Sequence, residues 1–281
     1  MIKQTEFSIR KACNTLQVGK SSYYEWKNND FIVNLNPVLI KEVHNIATEF
    51  PTYGYRRMRH ELNRRKFAVG DKKVRKLMKQ ENLVCRRKNA FRPVTTDSNH
   101  SFRIYPNLAK NLNVTRLNQL WVSDITYIRL PYGFAYLATI IDIFSRKCVG
   151  WALSRDIDTV LTITALDMAI NNRWNMGLLD LIHHSDQGIQ YASDAYIEML
   201  NQFGIKISMS RKGNPYDNAF SESFNKTIKV EEVYINEYET FEEAYKNIKH
   251  FIELVYNKKR IHSGIGYITP EEFEMEVLAK I

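Results

Sequence analysis

Between Trp121 and Ser154 the chain carries three β-rich runs in close succession, WVSDITYIRL, FAYLATIIDIF and KCVGWALS. Only Pro131-Tyr132-Gly133 separates the first two, which predicts an antiparallel hairpin. From Thr159 the pattern changes. The spacing predicts a helix from Thr159 to about Trp174, a strand at Leu179 to His184, a helix at Tyr191 to Phe203 and a strand at Ile205 to Met209. Two more helices follow, from Asp217 to about Val233 and from Thr240 to Tyr256. Three strands and then αβαβα predict an α/β fold, a mixed sheet with helices on its faces.

The residues before this block have a different character. Phe7, Ile9, Ala12 and Leu16 are spaced for one apolar helix face. Val18-Gly19 reads as a turn and Ser21 to Trp26 as a second short helix, the outline of a helix-turn-helix. Any small helical hairpin shares that outline. A second pair follows: a basic helix from Arg56 to Lys66 with Met58 and Leu62 inward, and another from Lys72 to Gln80 with Val74, Leu77 and Met78 on one side. Between Arg86 and Asn118 the periodicity stops in a polar, basic, turn-rich stretch. The chain therefore divides into a basic helical region (1–85), a basic linker (86–118) and a sheet domain with C-terminal helices (119–281).

Charge follows the same division. Residues 1–110 hold 23 Lys+Arg and 9 Asp+Glu, a net +14, while the remainder holds 17 and 22, a net −5. Basic clusters interleaved with aromatics (Tyr53, Tyr55, Arg56, Arg57, Arg59, then Arg64, Arg65, Lys66) suit a polyanion, and nucleic acid is the expected one. A solvated lysine- and arginine-rich surface is the plainer reading of the same charges. Arg56, Arg57, Arg64 and Arg65 are candidate DNA contacts on one helix, and Arg86, Arg87 and Lys88 are candidates in the linker.

Several classes are excluded. The three cysteines, Cys13, Cys85 and Cys148, have no CxxC spacing, which argues against a disulfide scaffold or zinc-thiolate site. The most apolar stretch, Phe134 to Phe144, is about half of what a spanning helix needs and contains Asp142. The N-terminus lacks the apolar region of a secretory signal. A cytoplasmic protein acting on nucleic acid is the expectation.

Three carboxylates stand at suggestive places. Asp124 lies inside the first strand, where Asp is disfavoured and a buried carboxylate needs a partner. Asp186 follows the Leu179–His184 strand, and Glu222 lies on the helix DNAFSESFNKTIK. Their plainer readings are a hydrogen-bonded core acid, a turn former and a solvated helix residue. On a helical wheel Phe220, Phe224 and Ile228 fall together, with Glu222, Lys226 and Lys229 on the opposite, outward side. If the three acids converge they require divalent ions, since each like-charged pair at about 4 Å costs on the order of 4 kcal/mol at an effective dielectric near 20. Carboxylate oxygens suit Mg²⁺ or Mn²⁺, and two such ions about 3.5–4 Å apart can activate an attacking oxygen and stabilise a leaving one. His183 and His184 read as strand-end packing residues and Asp142 as a turn residue.

The segments WVSDITYI, HHSDQGIQY and MSRKGNPYDNAFSESFNKTIKVE together resemble the core of the DDE transposases and retroviral-type integrases. The likeness is greatest to the second-frame transposase of the bacterial IS-three group. Thirty-five residues separate Asp186 from Glu222, the interval of that group, and Lys229 matches its basic residue seven after the glutamate. YGYRRMRHELNRRKFAVGDKKVRKLMKQENLVCRRK resembles the group's helical DNA-binding segment and RIHSGIGYITPEEFE its C-terminal signature. The resemblance implies an RNase H-like mixed-sheet catalytic core. It makes Asp124, Asp186 and Glu222 catalytic, metal-binding acids for two Mg²⁺ or Mn²⁺ ions, with Lys229 on DNA; Lys226, on the same outward helix side as Glu222, is a further candidate DNA contact. The implied reaction is metal-dependent cleavage and strand transfer at insertion-sequence ends. The implied partners are double-stranded DNA, further copies of the chain in a paired-end complex, and an upstream first-frame protein or fusion, in a nucleoid-associated setting. The competing class is an inactive end-binding protein or repressor. Leu117 departs from the family's proline before Asn118, at the start of the first strand.

Overall fold

The computed structural model describes residues 8–29, 36–83, 102–211 and 219–280. Five helices come first: α1 (Ile9–Thr15), α2 (Lys20–Asn29), α3 (Pro37–Glu49), α4 (Tyr55–Arg64) and α5 (Asp71–Gln80). The α1–α2 turn forms where Val18-Gly19 predicts it, with Gln17 in the left-handed region at φ 52°. Helix α3 is absent from the sequence reading. Its signals are Asn36, whose side chain accepts the Val38 N–H at 3.0 Å, Pro37 in the first turn, and Leu39, Val43 and Ile46 on one buried face. Met58 and Leu62 of α4 and Val74, Leu77 and Met78 of α5 are buried as their spacing predicts.

The sheet comprises β1 (Leu120–Arg129), β2 (Phe134–Asp142), β3 (Cys148–Ser154), β4 (Ile182–Ser185) and β5 (Lys206–Met209), in the order β3-β2-β1-β4-β5. The first three strands are antiparallel, and β4 and β5 join β1 in parallel. This is the RNase H-like mixed sheet that the resemblance implies. The remaining helices are α6 (Thr159–Arg173), α7 (Ile189–Ala192), α8 (Asp194–Gln202), α9 (Ala219–Ile228), α10 (Phe241–His250) and α11 (Pro270–Leu278). Helices α9 and α10 run on as π-helical turns at Lys229–Val233 and Phe251–Lys259. The expected helix from Tyr191 is broken at Ser193, whose extended backbone (ψ 145°) separates α7 from α8.

Alternation along β1 sends its side chains to two cores. Trp121 faces α6 and α8 with Ala138 and Ile140, whereas Leu120, Val122 and Ile128 pack with Phe224 and Ile228 of α9 and with Ile248 and Ile252. Helix α6 lies against Gly150 so closely that a Cβ there would stand 2.2 Å from the Ala165 carbonyl oxygen. Only glycine fits.

A third cluster joins the two ends of the chain. Buried residues of α3, α4 and α5 pack with Ile261, and the Ile261 N–H donates to the Tyr53 hydroxyl oxygen at 3.1 Å. The described part of the expected linker, residues 102–118, has no helix or strand, but Leu112 and Val114 pack on the sheet core. The Leu108 N–H donates to Ser208 Oγ at 2.8 Å, so this stretch straps β5.

Candidate active site

Parallel pairing of β1 and β4 sets Val122 opposite His184. Carried on by two residues, that register brings Asp124 level with Asp186, which stands one residue past the end of β4. Asp124 shares the sheet face of Val122, the face that α9 covers. There the Asn225 amide donates from Nδ2 to Asp124 Oδ2 at 2.7 Å. Glu222 stands one helical turn before Asn225, exposed in the first turn of α9. Asp186 accepts the Gly188 N–H on Oδ1 at 2.9 Å, which shapes the turn into α7. One acid thus comes from a strand, one from a strand end and one from a helix.

Electrostatics tie the three together. Burial, then the charge of Asp186, and more weakly that of Glu222, push the Asp124 carboxyl up to about 8 against the pull of its hydrogen bonds to Ile125 and Asn225. Among the described residues no three His, Cys, Asp or Glu groups stand close enough to grip a single ion. The acids act on one another electrostatically without closing on one point.

Lys229 differs from its expected outward position. It is half-buried, with Nζ 3.9 Å from the centroid of the Tyr127 ring, and burial lowers its pKa against the opposing charge of Asp124. The boundary of α9 explains this. Ser221 and Asn225 are buried beside Phe224 and Ile228, so the stripe Glu222–Asn225–Lys229 borders the sheet rather than opposing it. Lys226 is exposed as expected. Phe220, expected inward, is 43% exposed and lies beneath the Arg146 guanidinium, 4.1 Å from its ring centroid.

His183 packs away from the acids: its Nε2 meets Ser123 Oγ at 2.6 Å and the Tyr196 hydroxyl at 2.9 Å. Burial, reinforced by His184, brings its pKa down to about 3. Asp142 builds a turn, accepting the N–H groups of Asn118 and Phe144, each at 2.9 Å. Asn225 and Tyr127 went unread in the sequence. The signal for Asn225 was its position three residues after Glu222 on the boundary of a helix face.

Three of the four candidate DNA-contacting arginines on α4 are engaged within the chain. Arg64 forks onto Glu272 at 2.7 and 3.0 Å. Arg65 reaches Glu42 at 2.9 Å, Glu49 at 2.6 Å and Glu61 at 2.9 Å. Arg57 stands 3.6 Å from Glu231, which also pairs with the buried Arg260 at 2.6 Å. Charge counting along one helix overlooks carboxylates that folding brings from elsewhere. Arg56 is exposed and has no ion pair among the described residues. With Arg75 of α5 it flanks the Tyr55 ring, at 5.5 and 5.0 Å from the centroid. Arg86, Arg87 and Lys88 lie outside the described residues.

Family models match the helical and the sheet-containing parts of the chain separately. The integrase core domain family matches residues 114–215 and, through a second family of the same description, residues 203–270. An HTH-like domain family matches residues 36–91, a stretch that includes α3–α5 and not α1–α2. Among curated proteins, the insertion element IS600 uncharacterized 31 kDa protein of Shigella sonnei is 38% identical over 93% of this chain and 96% of its own length. Transposase InsF for insertion sequence IS3A of Escherichia coli strain K12 is 32% identical over 98% and 97% respectively. Among solved structures, the HTLV-2 integrase catalytic core domain in complex with magnesium is 17% identical over 56% of this chain and 96% of that one, with a TM-score of 0.42.

Proposed function

This chain belongs to the IS3-group transposases with an integrase core domain, and from that premise we propose that Asp124, Asp186 and Glu222 are the catalytic acids of its DNA cleavage and strand transfer. One observation carries the assignment: Asp124 stands level with Asp186 across β1 and β4, and its carboxyl is pushed up to about 8 by burial, Asp186 and Glu222. Three hard oxygen donors with an excess of negative charge fit Mg²⁺ or Mn²⁺. Divalent ions held there, two in the full form of the proposal, supply charge stabilisation at the transferring phosphoryl group and at the attacking and leaving oxygens.

The chain's own groups do the rest. Asn225 fixes the rotamer of Asp124 through its 2.7 Å hydrogen bond. Gly188 orients Asp186 through its N–H. Glu222, exposed on α9, is free to swing toward the strands. Lys229, steadied over Tyr127, offers a cation to a phosphate of the element end. Asp186 precedes α7, Glu222 lies in the first turn of α9, and the charges of both act on Asp124, so one DNA strand can reach all three. Pairing of two element ends by several copies, and an upstream first-frame partner or fusion, belong to the proposal on the family resemblance alone. No observation favours the inactive end-binding alternative.

The test is a joining assay with the full chain, labelled element ends and Mg²⁺ or Mn²⁺. Free 3′-ends followed by joined products are expected. Absence of both with either metal, from protein that binds the ends, would overturn the reading.

A further inference from the structure

Beside the candidate acids the fold leaves a cavity of about 660 Å³, within the size range of small-ligand sites. Its walls include the rings of Phe144, Phe220 and Phe273 and the side chains of Lys110, Arg146 and Arg211, and among the described residues no acid lines it. Phe144 and Phe273 meet edge to face, with centroids 5.2 Å apart. The cavity reaches Val122, two residues before Asp124 on the same face of β1, and Phe220, two residues before Glu222.

Arg146 is held there by its backbone. It sits in the left-handed region at φ 65°, an uncommon conformation for a residue with a Cβ. Its N–H donates to the Asp142 carbonyl at 2.8 Å and its carbonyl accepts the Tyr256 hydroxyl at 3.0 Å. The side chain passes Gly264 and lays its guanidinium over Phe220. Among the described residues no carboxylate pairs with it, whereas Arg57, Arg64 and Arg65 all have acidic partners. A half-buried cation without an acid, beside aromatic walls, suits a ligand that is anionic at one end and flat and apolar at the other.

We propose that this cavity binds one nucleotide of the DNA strand next to the reacting phosphodiester, its base against the rings of Phe144 and Phe220 and its phosphate on Arg146. The inference rests on the reading of the chain as a DNA strand transferase. It adds a site at which a base leaves the stack beside the acids. Stacking on an aromatic tolerates any base, so the site grips a strand without reading its sequence. A base already unpaired enters at least cost, which favours frayed or nicked ends over intact duplex.

The experiment uses the full chain without divalent ions and two labelled six-nucleotide strands of equal charge, one all thymidine and one abasic. Fluorescence anisotropy is expected to show the thymidine strand binding at least tenfold more tightly. Phe220→Ala, at a partly exposed side chain, should cut that preference below threefold, and Arg146→Gln should weaken both strands at least fivefold. Equal affinity of the wild type for both strands, or a base preference unchanged in Phe220→Ala, overturns the proposal. Should Arg146→Gln lose its circular dichroism spectrum, Phe220→Ala carries the decision. Wild-type protein that holds thymidine over abasic strands yet joins no ends with either metal would sink the strand-transfer reading instead. Normal joining with no base preference would sink only the cavity.

Discussion

Asn225 of α9 donates to Asp124 of β1 at 2.7 Å, a side-chain hydrogen bond that ties the helix bearing Glu222 to the centre of the sheet. Asn225 is itself buried and its Oδ1 has no hydrogen-bond partner among the described residues. The amide is thus committed to presenting a donor to the acid. Asn225→Ala removes that donor and leaves a buried carboxylate less satisfied. It should lower stability by about 1–3 kcal/mol in denaturant unfolding and slow joining at least tenfold. Asn225→Asp, which adds a fourth carboxylate, should be worse without divalent ions and partly rescued by them. Unchanged joining in Asn225→Ala would show that Asp124 needs no positioning.

Asp186→Asn separates binding from chemistry. The substitution keeps the size of the side chain and its acceptor for the Gly188 N–H, removes the charge and turns the other carboxylate oxygen into an amide donor. Joining and cleavage should fall below detection with Mg²⁺, while affinity for element ends stays within about twofold in a gel-shift assay. Persistent joining would exclude Asp186 from the reacting centre. Chelation of divalent ions should reproduce the same split in the wild-type chain.

The strands were legible because their β-branched and aromatic runs have no other comfortable conformation. β4 was read three residues too early, since Leu179 looks like a strand residue but is 83% exposed in the turn where Asp180 takes φ 57°. Helix α3 was legible from Asn36-Pro37 and its buried Leu39, Val43 and Ile46, and went unread beside the more conspicuous basic helices. Asp124 betrayed itself as a carboxylate in an apolar strand. Asn225 did so only through its place one turn after Glu222, because an amide on a helix boundary says nothing of its role until its partner is known. The pairing of Arg64 with Glu272 spans 208 residues and is invisible to any local reading.

Acid should destabilise the fold through His183. Its folded-state pKa is about 3, brought down by burial and then by His184, against an ordinary value of 6.5. Above pH 6.5 both folded and unfolded chains hold it neutral, and its contribution to stability is complete. As the pH falls from 6.5 towards 3 the unfolded chain takes up a proton that the folded chain refuses. Stability is therefore lost across that window, by up to about 1.4 kcal/mol per pH unit. His183→Gln abolishes this titration. The loss in unfolding free energy between pH 7 and 4.5 should be smaller in the variant by roughly 2 kcal/mol. Equal losses would mean that the imidazole is protonated inside the fold.

The paired arginines bear on where DNA lies. Each phosphate neutralised contributes about 0.9 to the slope of log affinity against log salt, so the slope counts cations at the interface. Arg64 and Arg65 are occupied by Glu272, Glu42, Glu49 and Glu61, whereas Arg56 and Arg75 flank Tyr55 on an exposed surface of α4 and α5. Arg56→Ala with Arg75→Ala should flatten the slope by about two contacts, and weaken unrelated sequences alike if only phosphates are touched. Arg64→Ala with Arg65→Ala should leave the slope unchanged and instead lower stability, by more than an exposed pair's ~1 kcal/mol because Arg65 serves three acids. The comparison belongs in the full chain, because a fragment ending before Ile261 would uncover the face that α3, α4 and α5 bury. If the second pair flattened the slope as much as the first, DNA must displace Glu272 and its neighbours. The helical region would then bind DNA only after releasing α11.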